Sequence, residues 1–216
     1  PPHDLATSLI DAHSHIWTRD VAAFPLADGQ SVADLDPPSF TTDELIKVAE
    51  QNGVGRVVLI QHHIYHGWDN SYLVHAAAEM PERFRVVGML DDTQPHPDQK
   101  MKPLLAQHVT GFRITPWIRG SDKWLDGPGM TAMWKQAADT GQAMCCLLDA
   151  KDLDNVAAMC RKHPDTRVVI DHFARIGVDG EVRDSDVNKL CALAKLKNTF
   201  VKISAYYALG KKQSPY

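Results

Sequence analysis

The sequence lacks any apolar run close to the roughly 18 residues that a helix needs to cross a bilayer, so a membrane-spanning protein is not expected. It also lacks a basic run, since 23 lysines and arginines are dispersed among 27 acidic residues, for a formal charge of −4. Nucleic-acid binding needs clustered cations. We therefore expect a small-molecule substrate and neither nucleic acid nor membrane as a partner, and we leave a homo-oligomer open.

Several targeting and cofactor signals are missing as well. Residues 1–5 have neither a signal-peptide pattern nor an initiator methionine, which predicts a cytoplasmic protein with a processed or incomplete N-terminus. No C-x-x-C pair occurs among the four cysteines, so a structural zinc site of that type is not predicted and we expect reduced, buried thiols. No G-x-S-x-G motif is present, and Gly53-Val54-Gly55 precedes a strand, where it ends a helix rather than binding phosphate.

Short apolar runs alternate with amphipathic stretches. Several of the runs are β-branched and nearly continuous, which is typical of parallel strands covered on both faces. The predicted strands are 9–15, 56–61, 84–91, 109–115, 143–149, 167–172 and 200–204. The predicted helices are 42–52, 70–80, 129–140, 152–163 and 184–197, with a weaker one at 97–108 because Pro103 interrupts it.

This alternation predicts an α/β fold with a parallel sheet. Strands start about every 32 residues, which suits a TIM (β/α)₈ barrel better than the alternative, an open doubly wound sheet. At this spacing an eighth strand would begin near residue ~232. We therefore predict a single barrel domain over residues 1–216, with its C-terminal eighth strand region missing from this chain.

Polar residues stand at the carboxyl end of almost every predicted strand, and three histidines are the sharpest candidates. His13 and His15 are two positions apart on the first strand, so they share one face about 6.6 Å apart along the chain. Two imidazoles in that arrangement can bind one metal ion. The parity of Val168 and Ile170 sends His172 to a shared face too, so a barrel would bring all three histidines to one end.

Other polar residues are candidate substrate contacts. Arg113 and Arg175 are predicted to bind a carboxylate, because a guanidinium holds one through two parallel hydrogen bonds, although a structural ion pair is the alternative for each. His62 follows the second strand and is a further candidate. Asp171 points away from His172 and is expected to orient a loop or a neighbouring group. The polar loop 24–40 is expected to cover the site.

Six motifs occur in order along essentially the whole chain: Ile10-Asp11-Ala12-His13-Ser14-His15-Ile16-Trp17, Asp69-Asn70-Ser71-Tyr72-Leu73, Pro81-Glu82-Arg83-Phe84-Arg85, Gly111-Phe112-Arg113, Ile170-Asp171-His172-Phe173 and Lys202-Ile203-Ser204-Ala205. Together they resemble the amidohydrolase-related family of the amidohydrolase superfamily. The resemblance is closest to its branch of 2-pyrone-4,6-dicarboxylate lactonases and sugar lactonases.

The resemblance implies a TIM barrel of the metal-dependent-hydrolase type that hydrolyses a lactone or related ester of a carboxylated or sugar-like small molecule. It implies that His13, His15 and His172 hold a divalent metal, for which zinc is the favoured ion, or that they polarise the substrate carbonyl directly. It also implies that Arg113 and Arg175 bind substrate carboxylates. Two features depart from the family: strand five offers no Lys or His to bridge two metals, and the strand-eight Asp that acts as general base has no counterpart before residue 216.

The same residues are compatible with two other functions. One is a metal-dependent decarboxylase, similar to aminocarboxymuconate semialdehyde decarboxylase, which predicts tightly bound zinc and release of carbon dioxide. The other is a non-catalytic binding protein on the same scaffold.

Overall fold

A computed structural model describes residues 5, 8–119, 124–210 and 212, and it has the predicted alternation of strands and helices. Seven parallel strands follow one another in chain order in one sheet: β1 (Leu9–Ser14), β2 (Val54–Ile60), β3 (Phe84–Gly88), β4 (Val109–Ile114), β5 (Ala143–Cys146), β6 (Arg167–Ile170) and β7 (Thr199–Val201). The α-helices are α1 (Thr42–Gln51), α2 (His63–His66), α3 (Ser71–Glu79), α4 (Pro97–Leu105), α5 (Pro116–Arg119), α6 (Pro128–Thr140), α7 (Leu153–Lys162) and α8 (Asp184–Ala192).

The order of the strands decides between the two predicted architectures. A doubly wound sheet reverses its strand order at a switch point, whereas this sheet runs from β1 to β7 without a reversal. The alternative of a doubly wound sheet is therefore wrong, and the α/β fold of TIM-barrel type is confirmed for the seven strands that the described residues contain. Each strand ends one to three residues before its predicted end.

The chain forms two compact units. Unit 1 consists of Pro1–Asp91 and Lys102–Phe112, and unit 2 consists of Asp92–Met101 and Arg113–Tyr216. Unit 1 contains the pairs β1–β2, β2–β3 and β3–β4, while unit 2 contains β5–β6 and β6–β7. The single barrel domain over the whole chain stays a prediction.

The core of unit 1 follows from its sequence pattern. Leu59 and Ile60 of β2, Leu73 of α3 and Phe84 of β3 are at most 1% exposed, and burying such a side chain stabilises the fold by about 1.5–3 kcal/mol. Helix α1 begins with the predicted capping box. Glu44 N donates to Thr41 Oγ1 at 3.4 Å, and Thr41 N donates to the Glu44 carboxylate at 2.6 Å.

The core of unit 2 is packed on both faces of its sheet. All four residues of β5 are buried, as a parallel strand covered by helices requires. The backbone oxygen of buried Trp134, on α6, accepts a hydrogen bond from the Thr166 hydroxyl at 2.7 Å.

Helix α4 runs through Pro103 and ends two residues later, so this proline shortens the helix without preventing it. No helix among the described residues is long and apolar enough to span a membrane.

The four cysteines differ in their exposure to solvent. Burial raises the pKa of Cys145 to about 12, and it also raises the pKa values of Cys146 and Cys160. Cys191 is exposed, which corrects the expectation that all four thiols are buried. Because the thiolate is the reactive form, a thiol-specific reagent at about pH 8 should modify Cys191 alone in the native protein. Cys191→Ser should abolish that reaction, and rapid native labelling of Cys145 would contradict the prediction.

Candidate active site

The end of β1 places two histidines side by side in unit 1. The Asp11 carboxylate accepts the backbone N–H of His13 at 2.9 Å and also bonds the Ser14 hydroxyl, so the strand bends where the histidines begin. The rings of His13 and His15 have centroids 5.1 Å apart and stand almost perpendicular, at 83°. The two imidazoles are therefore close enough to act on one ligand.

A backbone contact fixes the tautomer of His15. Its Nδ1 lies 2.8 Å from the carbonyl oxygen of Ile60, the last residue of β2. A carbonyl oxygen only accepts, so Nδ1 carries a proton, and in the neutral ring Nε2 then carries the lone pair. This is the arrangement in which a histidine usually binds a metal, with a second group holding its other nitrogen.

His62 extends the histidine pair into an aromatic wall. Its ring lies 4.9 Å from that of His15 and stacks on Tyr65 at 4.3 Å between centroids. Trp17 packs against His62 at 5.4 Å. Buried Gln61 stabilises the turn that carries His62, because its side-chain amide donates to the backbone oxygens of Gly67 and Asp69.

The loop over residues 24–40 is fastened to this wall. Trp17 pairs with Phe40 through the backbone, and its indole N–H donates to Pro37 O at 2.9 Å. The Tyr65 hydroxyl accepts from Asp36 N at 3.1 Å. The expectation that this loop lies over the carboxyl ends of strands agrees with these contacts to residues that follow β1 and β2.

In unit 2 the chain leaves β6 through an unusual turn. After Asp171, four successive residues other than glycine have left-handed backbone, with φ between 52° and 55°: His172, Phe173, Ala174 and Arg175. Each costs roughly 1–2 kcal/mol relative to right-handed backbone. This corrects the prediction that His172 continues the strand and shares the parity of Val168 and Ile170, because parity holds only for extended backbone.

A buried carboxylate stands at the start of this turn. Asp171 is 0% exposed, and Arg113 Nη2 at the end of β4 lies 3.3 Å from its Oδ2. Lys202 Nζ, just after β7, lies 3.1 Å from its Oδ1. A buried carboxylate is stable only when cations and donors compensate it, and these two cations do so. The ends of β4, β6 and β7 are thereby linked through one side chain.

His172 is held in its neutral form. Burial lowers its pKa below the ordinary histidine value; nearby Asp171 opposes that shift, while Arg113, Lys202 and Arg175 reinforce it. Its Nδ1 lies 2.8 Å from the hydroxyl oxygen of Ser204. The imidazole therefore keeps a lone pair at neutral pH and has a partner that fixes its orientation.

Arg175 closes the same turn and is more open to solvent. Its guanidinium lies 3.2 Å from Asp149, after β5, and its Cζ lies 4.5 Å above the Trp117 ring. These contacts hold the guanidinium in one orientation while 29% of the side chain stays exposed. Arg113 by contrast is 8% exposed and is engaged with Asp171.

Two residues that contact the turn after β6 were not predicted from the sequence. Lys202 and Trp117 were given no role, although Lys202 lies two residues before Ser204 at a strand end. A charged residue in an otherwise apolar strand-end segment was the available signal.

With this geometry established, comparison with known proteins assigns the family. The family model described as amidohydrolase matches residues 10–216, so the chain belongs to the amidohydrolase family, as its motifs indicated. It is 25% identical over 206 residues to L-fucono-1,5-lactonase of Burkholderia ambifaria, covering 93% of this chain and 69% of that protein. It is 24% identical to 4-sulfomuconolactone hydrolase of Rhizobium radiobacter, covering 95% of this chain and 66% of that protein.

Solved structures agree on the fold. A probable 2-pyrone-4,6-dicarboxylic acid hydrolase from Acinetobacter baumannii, crystallised with citric acid, superposes with a TM-score of 0.79 at 21% identity, over 97% of this chain and 74% of the other. An amidohydrolase from Burkholderia multivorans with bound zinc gives 0.68 at 19% identity, over 94% and 71%. The chain thus spans about two thirds to three quarters of these relatives.

Removing the charge of Asp171 tests the buried ion pairs. Asp171→Asn leaves the cations of Arg113 and Lys202 without their carboxylate, so we expect the free energy of unfolding to fall by about 3–5 kcal/mol in urea titrations. Asp154→Asn is the matched control, because Asp154 is 72% exposed in its ion pair with Lys189 and should change stability by less than ~1 kcal/mol. Equal effects of the two substitutions would show that Asp171 is not a structural centre.

Proposed function

We propose that this protein hydrolyses the ring ester of a lactone, with His13, His15 and His172 as its catalytic residues. The observation that carries the proposal is that the imidazoles of His15 and His172 are each oriented by a partner on Nδ1, at the carboxyl ends of β1 and β6. Active sites of barrel enzymes use these strand ends. Family membership and two relatives named for lactone hydrolysis support the same reaction.

The proposed substrate is a carboxylated or sugar-like lactone. The Arg175 side chain is partly exposed, and its contacts with Asp149 and Trp117 already fix its orientation. Its guanidinium can therefore donate hydrogen bonds to a carboxylate with little further loss of conformational entropy. Arg113 is proposed to contribute to substrate binding from its buried position beside Asp171. His62, stacked on Tyr65, is proposed to contact the substrate ring.

The donor set suits a divalent metal, and zinc is the ion that we propose. His15 presents the Nε2 lone pair, and lowering of the His172 pKa favours the neutral imidazole that a metal needs. Bound zinc would polarise the lactone carbonyl and lower the pKa of a water molecule. The three histidines would hold the ion, while Ile60 O and the Ser204 hydroxyl orient two of their rings.

The chain's own groups serve the reaction in distinct ways. Ring opening adds water to the acyl carbon and breaks its bond to the ring oxygen, giving a hydroxy acid. The imidazoles are proposed to serve as ligands of the ion that would stabilise the negative charge developing on the carbonyl oxygen. Arg175 fixes the substrate's carboxylate, and the loop over residues 24–40 limits access of bulk water to the histidine pair.

Histidine substitution tests the catalytic proposal. His13→Ala and His172→Ala should each lower kcat/KM for the best lactone of a substrate panel by at least about 100-fold, because each removes charge stabilisation at the reacting carbonyl. His75→Ala is the control, since His75 is exposed on α3 and should leave the rate unchanged. Wild-type rates in both site variants would falsify the assignment.

Metal analysis separates lactone hydrolysis from decarboxylation on the same scaffold. We expect the purified protein to contain zinc, a chelator to lower lactone hydrolysis, and added zinc to restore it. His172→Ala should lower the zinc content, whereas the His75→Ala control should not. Release of carbon dioxide from an aromatic or muconate-like acid, without lactone turnover, would instead identify a decarboxylase.

The proposed location is the cytoplasm. Cys145, Cys146 and Cys160 are free and buried in the described structure, which suits a reducing compartment.

A further inference from the structure

The left-handed turn after β6 carries two proposed site residues and cannot be stable by itself. His172 and Arg175 both lie in backbone that residues other than glycine rarely adopt, together with Phe173 and Ala174 between them. Such strain persists only where the surrounding structure determines it. Neighbouring groups must therefore hold the turn in place.

Lys202 meets this turn at three points. Its ammonium lies 3.1 Å from Asp171 Oδ1, its backbone oxygen accepts the N–H of Phe173 at 3.3 Å, and its own N–H donates to Ile170 O at 2.8 Å. Its side chain is only 12% exposed. The residue therefore bonds the chain immediately before the turn, at its first residue and within it.

The geometry of the turn explains why its position matters. His172 and Arg175 are the first and the last of the four left-handed residues of this turn, so the path of the turn sets one relative to the other. Arg175 is close enough to His172 to act on it electrostatically. One backbone unit thus presents an imidazole and a guanidinium together, as a substrate with a reacting carbonyl and a carboxylate requires.

We propose that Lys202 is a positioning residue. Its ammonium fixes the Asp171 carboxylate, and Asp171 with the Lys202 backbone fixes the left-handed turn that sets His172 relative to Arg175. The effect of this role on catalysis rests on the proposed lactonase function. The stabilisation of the turn by Lys202 does not depend on that function. Arg113 secures the other carboxylate oxygen, so loss of Lys202 loosens the turn without leaving Asp171 wholly uncompensated.

The test compares Lys202→Met and Lys202→Arg with wild type, and uses Lys197→Met as the control at an exposed lysine next to β7. Hydrogen exchange is measured at the amides of Phe173 and Ile176, both hydrogen-bonded in the turn. We expect K202M to exchange at least about 10-fold faster there, with less than about threefold change at amides of β6. K202R should stay close to wild type.

Kinetics on the lactone that wild type hydrolyses best give the second readout. K202M should lower kcat by about 10–100-fold, because His172 loses its position, while KM changes less than about threefold, because Asp149 and Trp117 still hold Arg175. K202R should recover most of kcat, and K197M should match wild type in both constants. If K202M does not fold, Lys202→Gln carries the same test, since it removes the ammonium that pairs with Asp171 while keeping a polar side chain.

The outcomes separate the two proposals. Unchanged exchange at Phe173 and Ile176 overturns the positioning role whatever the activity, and so does faster exchange spread equally over β6. Faster exchange confined to the turn, in a protein whose wild type hydrolyses no lactone, supports the positioning role and rejects the proposed function.

Discussion

A carboxylate without solvent exposure must be compensated by neighbouring charge, and the site in unit 2 is arranged around that requirement. Asp171 is fully buried, and cations from the ends of β4 and β7 reach its two oxygens. The ion pairs link strands that are distant in the chain and stand where β6 gives way to the left-handed turn. His172 and Arg175 follow this carboxylate directly in the chain, and we propose that it sets their position.

The histidine pair of unit 1 depends on a different device. Asp11 bends the end of β1 through the backbone N–H of His13, and Ile60 O orients His15. Around them Trp17, His62 and Tyr65 form a wall that the loop over residues 24–40 fastens. Hydrogen bonds to backbone atoms orient His15, Trp17 and Tyr65, so neutral backbone groups fix the shape of this candidate site.

Much of the fold could be predicted from the sequence, because continuous apolar runs at a regular spacing are a local property of the chain. The seven strands and the capping box of α1 came from such patterns. The turn after β6 could not, since the parity applied to His172 assumes extended backbone. Nor could the Arg113–Asp171 pair, which joins residues 58 positions apart and arises only from tertiary packing. The candidate site residues were proposed from their type and strand-end position, whereas the groups that hold them were not predicted.

The central proposal is that His13, His15 and His172 are ligands of one zinc ion, and a crystal structure of the protein soaked with zinc tests it most directly. An anomalous difference map should show one zinc ion with a nitrogen of each of the three imidazoles about 2.0–2.1 Å away. A zinc peak bound by only one of these histidines, or rings that face separate cavities, would contradict the claim.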